Sequence, residues 1–147
     1  MTTPFLRPAL AALAFTAALA FAAPSIAAPV SLKADLKASE EVPPNDSKGT
    51  GAVEITYDSA TKMLTWKGSY SGLTGPATAA HFHGPAEPGK NAGVVVPVFQ
   101  GPTAKSPFEG SKALTDTQAA DLMAGRWYFN IHTDANKAGE IRGQVKK

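Results

Sequence analysis

From residue 30 onward the chain alternates. Val30, Leu32, Ala34 and Leu36 are separated by Ser31, Lys33, Asp35 and Lys37, the period of two expected of a strand with one wet face. Residues 39 to 49, with Glu40, Glu41, Pro43 and Pro44, break that pattern. Two adjacent prolines forbid a regular ladder, so this piece reads as a rigid connector. Val53, Ile55 and Tyr57, then Leu64, Trp66 and Tyr70, alternate with polar residues on either side of Asp58-Ser59-Ala60-Thr61-Lys62. Turn chemistry there predicts a hairpin. Gly72, Gly75 and Pro76 lead into a strand over about 77 to 83, and 84 to 93, rich in Pro, Gly and charge, reads as an exposed loop.

Val94 to Phe99 is a further strand, placed at an edge or a bulge by Pro97. Residues 101 to 111 read as an irregular connection. One helix follows, with Thr115 as cap, Gln118 as the answering residue of a capping box, Leu122 and Met123 as apolar side, and Gly125 as stop. The chain closes with a hairpin, Arg126 to Thr133 against Glu140 to Val145. Trp127, Phe129, Ile131, Ile141 and Val145 point one way; Tyr128, Asn130, His132, Glu140, Arg142 and Gln144 point the other. Seven or so short strands and one short helix predict an all-β, antiparallel Greek-key sandwich or partly open barrel, with Trp66 and Trp127 in its core.

Composition adds an address. Met1 to Pro8 with Arg7, the apolar run from Ala9 to Ala23 and the small residues around Ser25-Ile26-Ala27 read as a signal peptide, residues 1–27, cut after Ala27. Residues 28–147 are then a single exported domain, periplasmic or secreted, with no stable membrane insertion once the leader is removed. Of 14 basic residues one lies in the leader, leaving near balance against 12 acidic ones. That gives no electrostatic footprint for nucleic acid. The chain has no cysteine, which excludes thiolate metal sites, cysteine nucleophiles and disulfides.

The candidate chemistry is imidazole. His81 and His83 stand at i and i+2 of a strand and so share a face. His132 has the parity of Tyr128 and Asn130, opposite the apolar set. All three histidines therefore lie on the non-core side. If the two strands are neighbours they form a three-nitrogen site suited to copper or zinc, with an open coordination position. Glu140 or Asp134 then orients an imidazole through its other nitrogen. Asn130, Glu140 and Arg142 join the same face as candidate binding residues. The plainer reading is that these histidines cover a sheet and that Glu140 and Arg142 make an exposed ion pair of well under ~1 kcal/mol. There is no phosphate-binding Gly-rich loop, no serine-nucleophile signature and no singled-out carboxylate pair.

Glu41-Val42-Pro43-Pro44, Ser71-Gly72-Leu73, Ala80-His81-Phe82-His83-Gly84-Pro85-Ala86, Asn130-Ile131-His132-Thr133 and Gly139-Glu140-Ile141-Arg142-Gly143-Gln144 together resemble the CHRD domain family. The likeness runs from about Leu32 to Val145. The family takes its name from a repeat in chordin, an extracellular antagonist of bone morphogenetic proteins, and recurs in exported bacterial proteins. The resemblance implies an extracellular β-domain with a binding or structural role, an extracytoplasmic protein or small ligand as partner, and no general catalytic activity. It departs at Asn136-Lys137-Ala138-Gly139, where a proline often precedes the glycine. A weaker similarity is to copper-zinc superoxide dismutase, whose His-x-His pair His81 and His83 match and whose later copper ligand His132 matches loosely. That implies a redox-active metal site, without the fourth copper histidine, the zinc cluster or the cysteines.

Overall fold

Eight antiparallel strands form one sheet in the computed structural model, which describes residues 27–101 and 105–147. The signal peptide expected over 1–27 falls, but for its last residue, outside the described residues. The strands are β1 (Val30–Lys37), β2 (Thr50–Asp58), β3 (Met63–Ser71), β4 (Ala77–His83), β5 (Val94–Gln100), β6 (Phe108–Ala113), β7 (Tyr128–Thr133) and β8 (Ile141–Gln144). Among the described residues one α-helix, α1 (Asp116–Met123), precedes β7, and a short 3-10 turn, Ala38–Glu40, follows β1. The sheet order is β5-β4-β7-β8-β1-β2-β3-β6, and the sheet curls into a nearly closed barrel. Its two end strands approach through side chains, with the rings of Phe99 and Phe108 5.3 Å apart edge to face. Among the described residues no helix is long and apolar enough to cross a membrane.

The alternating positions do what their period demands. Leu32, Ala34 and Leu36 of β1, Val53, Ile55 and Tyr57 of β2, and Leu64 and Trp66 of β3 are all buried in the barrel. The β2–β3 hairpin closes at Asp58 opposite Met63, as its turn residues predict. Thr115 caps α1 with both halves of the capping box formed. Pro97 lies on the end strand β5, opposite His81 and next to a break in register. An end strand tolerates a residue without an N–H because only one of its sides is paired.

One expected connection is a strand. Residues 108 to 113 form β6, which runs along β3, although Phe-Glu-Gly-Ser-Lys-Ala lacks apolar alternation. The cause is reciprocal packing. Phe108 pairs with Gly68 and Trp66 pairs with Gly110, and a Cβ on Gly110 would stand 2.5 Å from the Trp66 ring. Each large ring occupies the space over the glycine opposite. The inward residue at 110 is therefore a glycine, which hides the strand from a hydrophobic count.

The second correction concerns the outer side of β4, β7 and β8. It was expected to be wet. Tyr128 and Asn130 are buried, as are Glu140 and Arg142, so both faces of β7 are covered. The cover consists of two irregular segments, 38–49 and 84–93. Gly143 lets β1 close against β8, since a Cβ there would collide with the Asp35 carbonyl.

Candidate metal centre

The bond network explains how a polar face comes to be buried. Glu140 gathers Ser47 Oγ at 2.6 Å, Thr74 N at 2.7 Å, Thr74 Oγ1 at 2.7 Å and Asn136 Nδ2 at 3.2 Å, together with the Thr133 hydroxyl. Burial alone would raise its pKa, but these donors from Ser47, Thr133 and Thr74 outweigh it and hold the carboxyl down at about 2. Arg142 serves the other segment. Its guanidinium donates to the Lys90 carbonyl at 2.6 Å and Asn91 Oδ1 at 2.9 Å and lies 3.4 Å over the Tyr128 ring. Gln144 Nε2 donates to the carbonyls of Ala86 and Gly125 at 3.1 and 2.8 Å. The exposed Glu140–Arg142 ion pair expected from sequence is thus replaced by two buried charges with separate partners. Each ties down a different covering segment.

The three histidines meet. β4 pairs with β7 so that His81 lies opposite Asn130 and His83 opposite Tyr128. One nitrogen from each of His81, His83 and His132 lies within 4.8 Å of the others. His81 and His132 are half-buried, and His83 is 8% exposed. His83 Nδ1 is 2.9 Å from the Ala92 carbonyl, and His132 Nδ1 is 2.9 Å from the Lys137 carbonyl. A carbonyl only accepts, so both Nδ1 atoms carry the hydrogen and both Nε2 atoms keep a lone pair. His132 Nε2 accepts from His81 Nδ1 at 3.0 Å; His83 Nε2 is buried with no partner. Orientation of the imidazoles, expected of Glu140 or Asp134, falls to two backbone carbonyls instead.

Further packing fixes His83. Its ring stacks on Tyr128 at 4.8 Å and 2°. The Tyr128 hydroxyl accepts from Ala92 N at 3.1 Å and donates to Ala92 O at 3.2 Å, the carbonyl that sets the His83 tautomer. The register places His83 on the β4 side of Tyr128 and Arg142 on the β8 side.

Electrostatics keep the cluster neutral. Burial, and then the neighbouring His132 and His83, push the pKa of His81 down to about 4. Burial also lowers His83 and His132, against the opposing pull of their bonded carbonyls. Three neutral imidazoles are a set of nitrogen donors suited to copper or zinc. His83 and His132 have their Nε2 lone pairs set, while His81 turns its Nδ1 hydrogen to His132 and would have to move that hydrogen to its other nitrogen to ligate through Nδ1. The 3.0 Å spacing of His81 and His132 is close to the ~3.3 Å between ligand nitrogens in a tetrahedral site with metal–nitrogen bonds of about 2.0–2.1 Å.

Glu41 was not anticipated at this site. It is 6% exposed with Oε1 unpartnered. Burial raises its pKa to about 7, against Arg142, Asn130 and the Val42 backbone, which all pull it down. In the sequence it sits before Pro43-Pro44 in what reads as a connector, and only its place in a family-like motif marks it.

Among curated proteins and among solved structures, none matches the chain. The CHRD domain model matches residues 32–145, which takes in all eight strands but for the first two residues of β1. The chain therefore belongs to the CHRD domain family.

Proposed function

We propose that this chain is an exported CHRD domain that acts as a binding module, and that its ligand is a single copper or zinc ion held by His81, His83 and His132. One observation carries the reading. Three neutral imidazoles converge, and in His83 and His132 the outer nitrogen is already tied to a backbone carbonyl, so their Nε2 lone pairs are set before any ion arrives. Outer hydrogen bonds of this kind set the tautomer and orientation of histidine ligands. An all-nitrogen donor set suits both metals, with the usual order of stability favouring Cu(II) over Zn(II). The residues 1–27 reading as a signal peptide supports export, to a compartment where the domain meets such ions.

Glu140 and Arg142 contribute by holding the covering segments over the site. Asn130, whose Oδ1 is buried without a partner, is the one of the three polar candidates with capacity left for a ligand. The test is titration of metal-free protein with Cu(II) and Zn(II), by calorimetry and by melting temperature. One equivalent is expected to bind tighter than ~1 μM. At a hundredfold excess over Kd it should stabilise the fold by about 2.7 kcal/mol. His81→Ala should weaken binding by more than the roughly 10–100-fold that loss of an orienting partner costs. Absence of binding by the wild type would leave a module for an extracytoplasmic protein or small ligand.

A further inference from the structure

The charges around the three imidazoles say which ion suits them. Every ligand atom the cluster offers is uncharged, and among the described residues no carboxylate joins it. The groups that orient His83 and His132 are the carbonyls of Ala92 and Lys137, which are neutral as well. A carboxylate in that place would add negative charge behind the ligand. The two buried carboxyls on this side of the barrel are engaged elsewhere. Glu140 takes its donors from Ser47, Thr74, Thr133 and Asn136, and Glu41 lies against Arg142 and Asn130. Neither is among the groups that act on the three histidines, whereas Arg142 acts on His83.

The fixed charge that reaches the site is therefore positive. The His83 ring lies flat on Tyr128 at 4.8 Å, and the Arg142 guanidinium lies 3.4 Å over that same Tyr128 ring. Its field meets an ion on His83 through one aromatic ring rather than through water. The cost of burying an ion grows with the square of its charge, and repulsion by Arg142 grows with the charge itself. Both penalise a divalent ion more than a monovalent one. The readiness of the donors points the same way. Two Nε2 lone pairs are set, while His81 still has a hydrogen to move. Once His81 lets go of His132, the two set nitrogens suffice for Cu(I), a d10 ion stable in linear or trigonal coordination. Zinc instead completes a tetrahedron, and Cu(II) a tetragonal set.

We propose that this site takes copper as Cu(I) in preference to Cu(II) or Zn(II), and that Arg142 is its specificity-determining residue, acting on the charge of the ion through Tyr128. This rests on the metal reading above. The ion is bound already reduced, and no electron passes between it and the protein. Arg142 has a second role that must be kept apart from this one, since it also holds the 84–93 segment through Lys90 and Asn91. Loss of that hold weakens every ion alike, because it loosens His83 whatever is bound there. Loss of the charge changes one ion relative to another.

The experiment compares three ions on the purified, metal-free protein. Cu(I) is kept reduced with ascorbate in the absence of oxygen and competed against bicinchoninate. Cu(II) and Zn(II) are competed against chelators of known affinity. Wild type is expected to bind Cu(I) at least about a hundredfold more tightly than Cu(II), which lifts the bound couple by roughly 120 mV above that of the free ions. Equal affinities, or a preference for either divalent ion, would overturn the proposal and leave the metal site standing. Failure to bind any of the three would overturn both. Arg142→Gln should narrow the ratio of Cu(I) to Cu(II) affinity by about tenfold. Arg142→Lys loses the same hold on 84–93 but keeps the charge, and should weaken both ions while preserving the ratio. Equal ratios in the two variants would refute the role of Arg142. Arg142→Met is the second neutral variant if glutamine is not accommodated, and the wild-type ratio decides the preference for Cu(I) without any variant.

Discussion

Glu140 and Arg142 occupy nearly adjacent positions, and each is fully buried with its own set of partners. A buried charge is tolerated only where its hydrogen-bonding capacity is filled, and Ser47, Thr74, Thr133 and Asn136 do that for Glu140 from three parts of the chain. Removing the charge while keeping the shape should therefore be costly. Glu140→Gln turns one acceptor into a donor facing hydroxyls that also donate, and a loss of about 2–4 kcal/mol is expected by urea denaturation at pH 7. The sign of its pH dependence follows from the lowered pKa. An unfolded glutamate titrates near 4.5 and this one near 2. Its stabilisation is therefore complete above about 4.5 and lost as pH falls toward 2. Loss of the same stability in Glu140→Gln at pH 2 and at pH 7 would contradict this. Sequence showed that Glu140 and Arg142 share a face, but not that loops cover it.

At the scale of elements, the 84–93 segment deserves the name of a structural part although it has no regular structure. Arg142 holds Lys90 and Asn91, Gln144 holds Ala86, and Tyr128 holds Ala92. Through Ala92 the segment sets the tautomer of His83. Arg142→Lys keeps the charge but loses the planar fork and the stacking on Tyr128. It should cost about 1–3 kcal/mol and speed hydrogen exchange at 84–93 before the core strands exchange. Metal affinity should fall with it by roughly 10–100-fold, as for loss of other orienting groups. Uniform exchange rates across segment and core would argue against the clamp. The same partition of signals explains β6: Gly110 is glycine because Trp66 fills its place, and a strand made inward by a neighbour's ring leaves no apolar mark of its own.

For the whole molecule, two sets of buried groups pull stability in opposite directions with pH. The histidines have lowered pKa values, so the unfolded chain binds more protons than the folded one below 6.5. Stability therefore falls as pH drops from there toward 4, where His81 titrates in the fold. Glu41 is raised from 4.5 to about 7; the folded state binds its proton more tightly, and stability falls as pH rises through that interval. Wild type should thus show a shallow stability profile between pH 5 and 7. Glu41→Gln, with one of the two opposing effects removed, should gain stability as pH rises from 5 to 7 and hold it to pH 8. Parallel profiles for the two proteins by denaturant unfolding would exclude a titrating Glu41.

The alternation of side chains marked the strands other than β6, the hairpins and the parity that sets His81, His83 and His132 opposite the core, because a strand's two faces are fixed by its backbone alone; the capping residues marked the helix. Motif order likewise marked the family. What only the tertiary structure decided was which strands are neighbours and what lies over the polar face. β4 lies beside β7 through a long connection, which brings the three imidazoles together. Residues 38–49 and 84–93 fold back over them, turning a surface of polar side chains into a buried row that includes Glu41. Neither outcome has a local cause: both depend on how distant segments satisfy one another's hydrogen bonds, and the period of a strand carries no information about that.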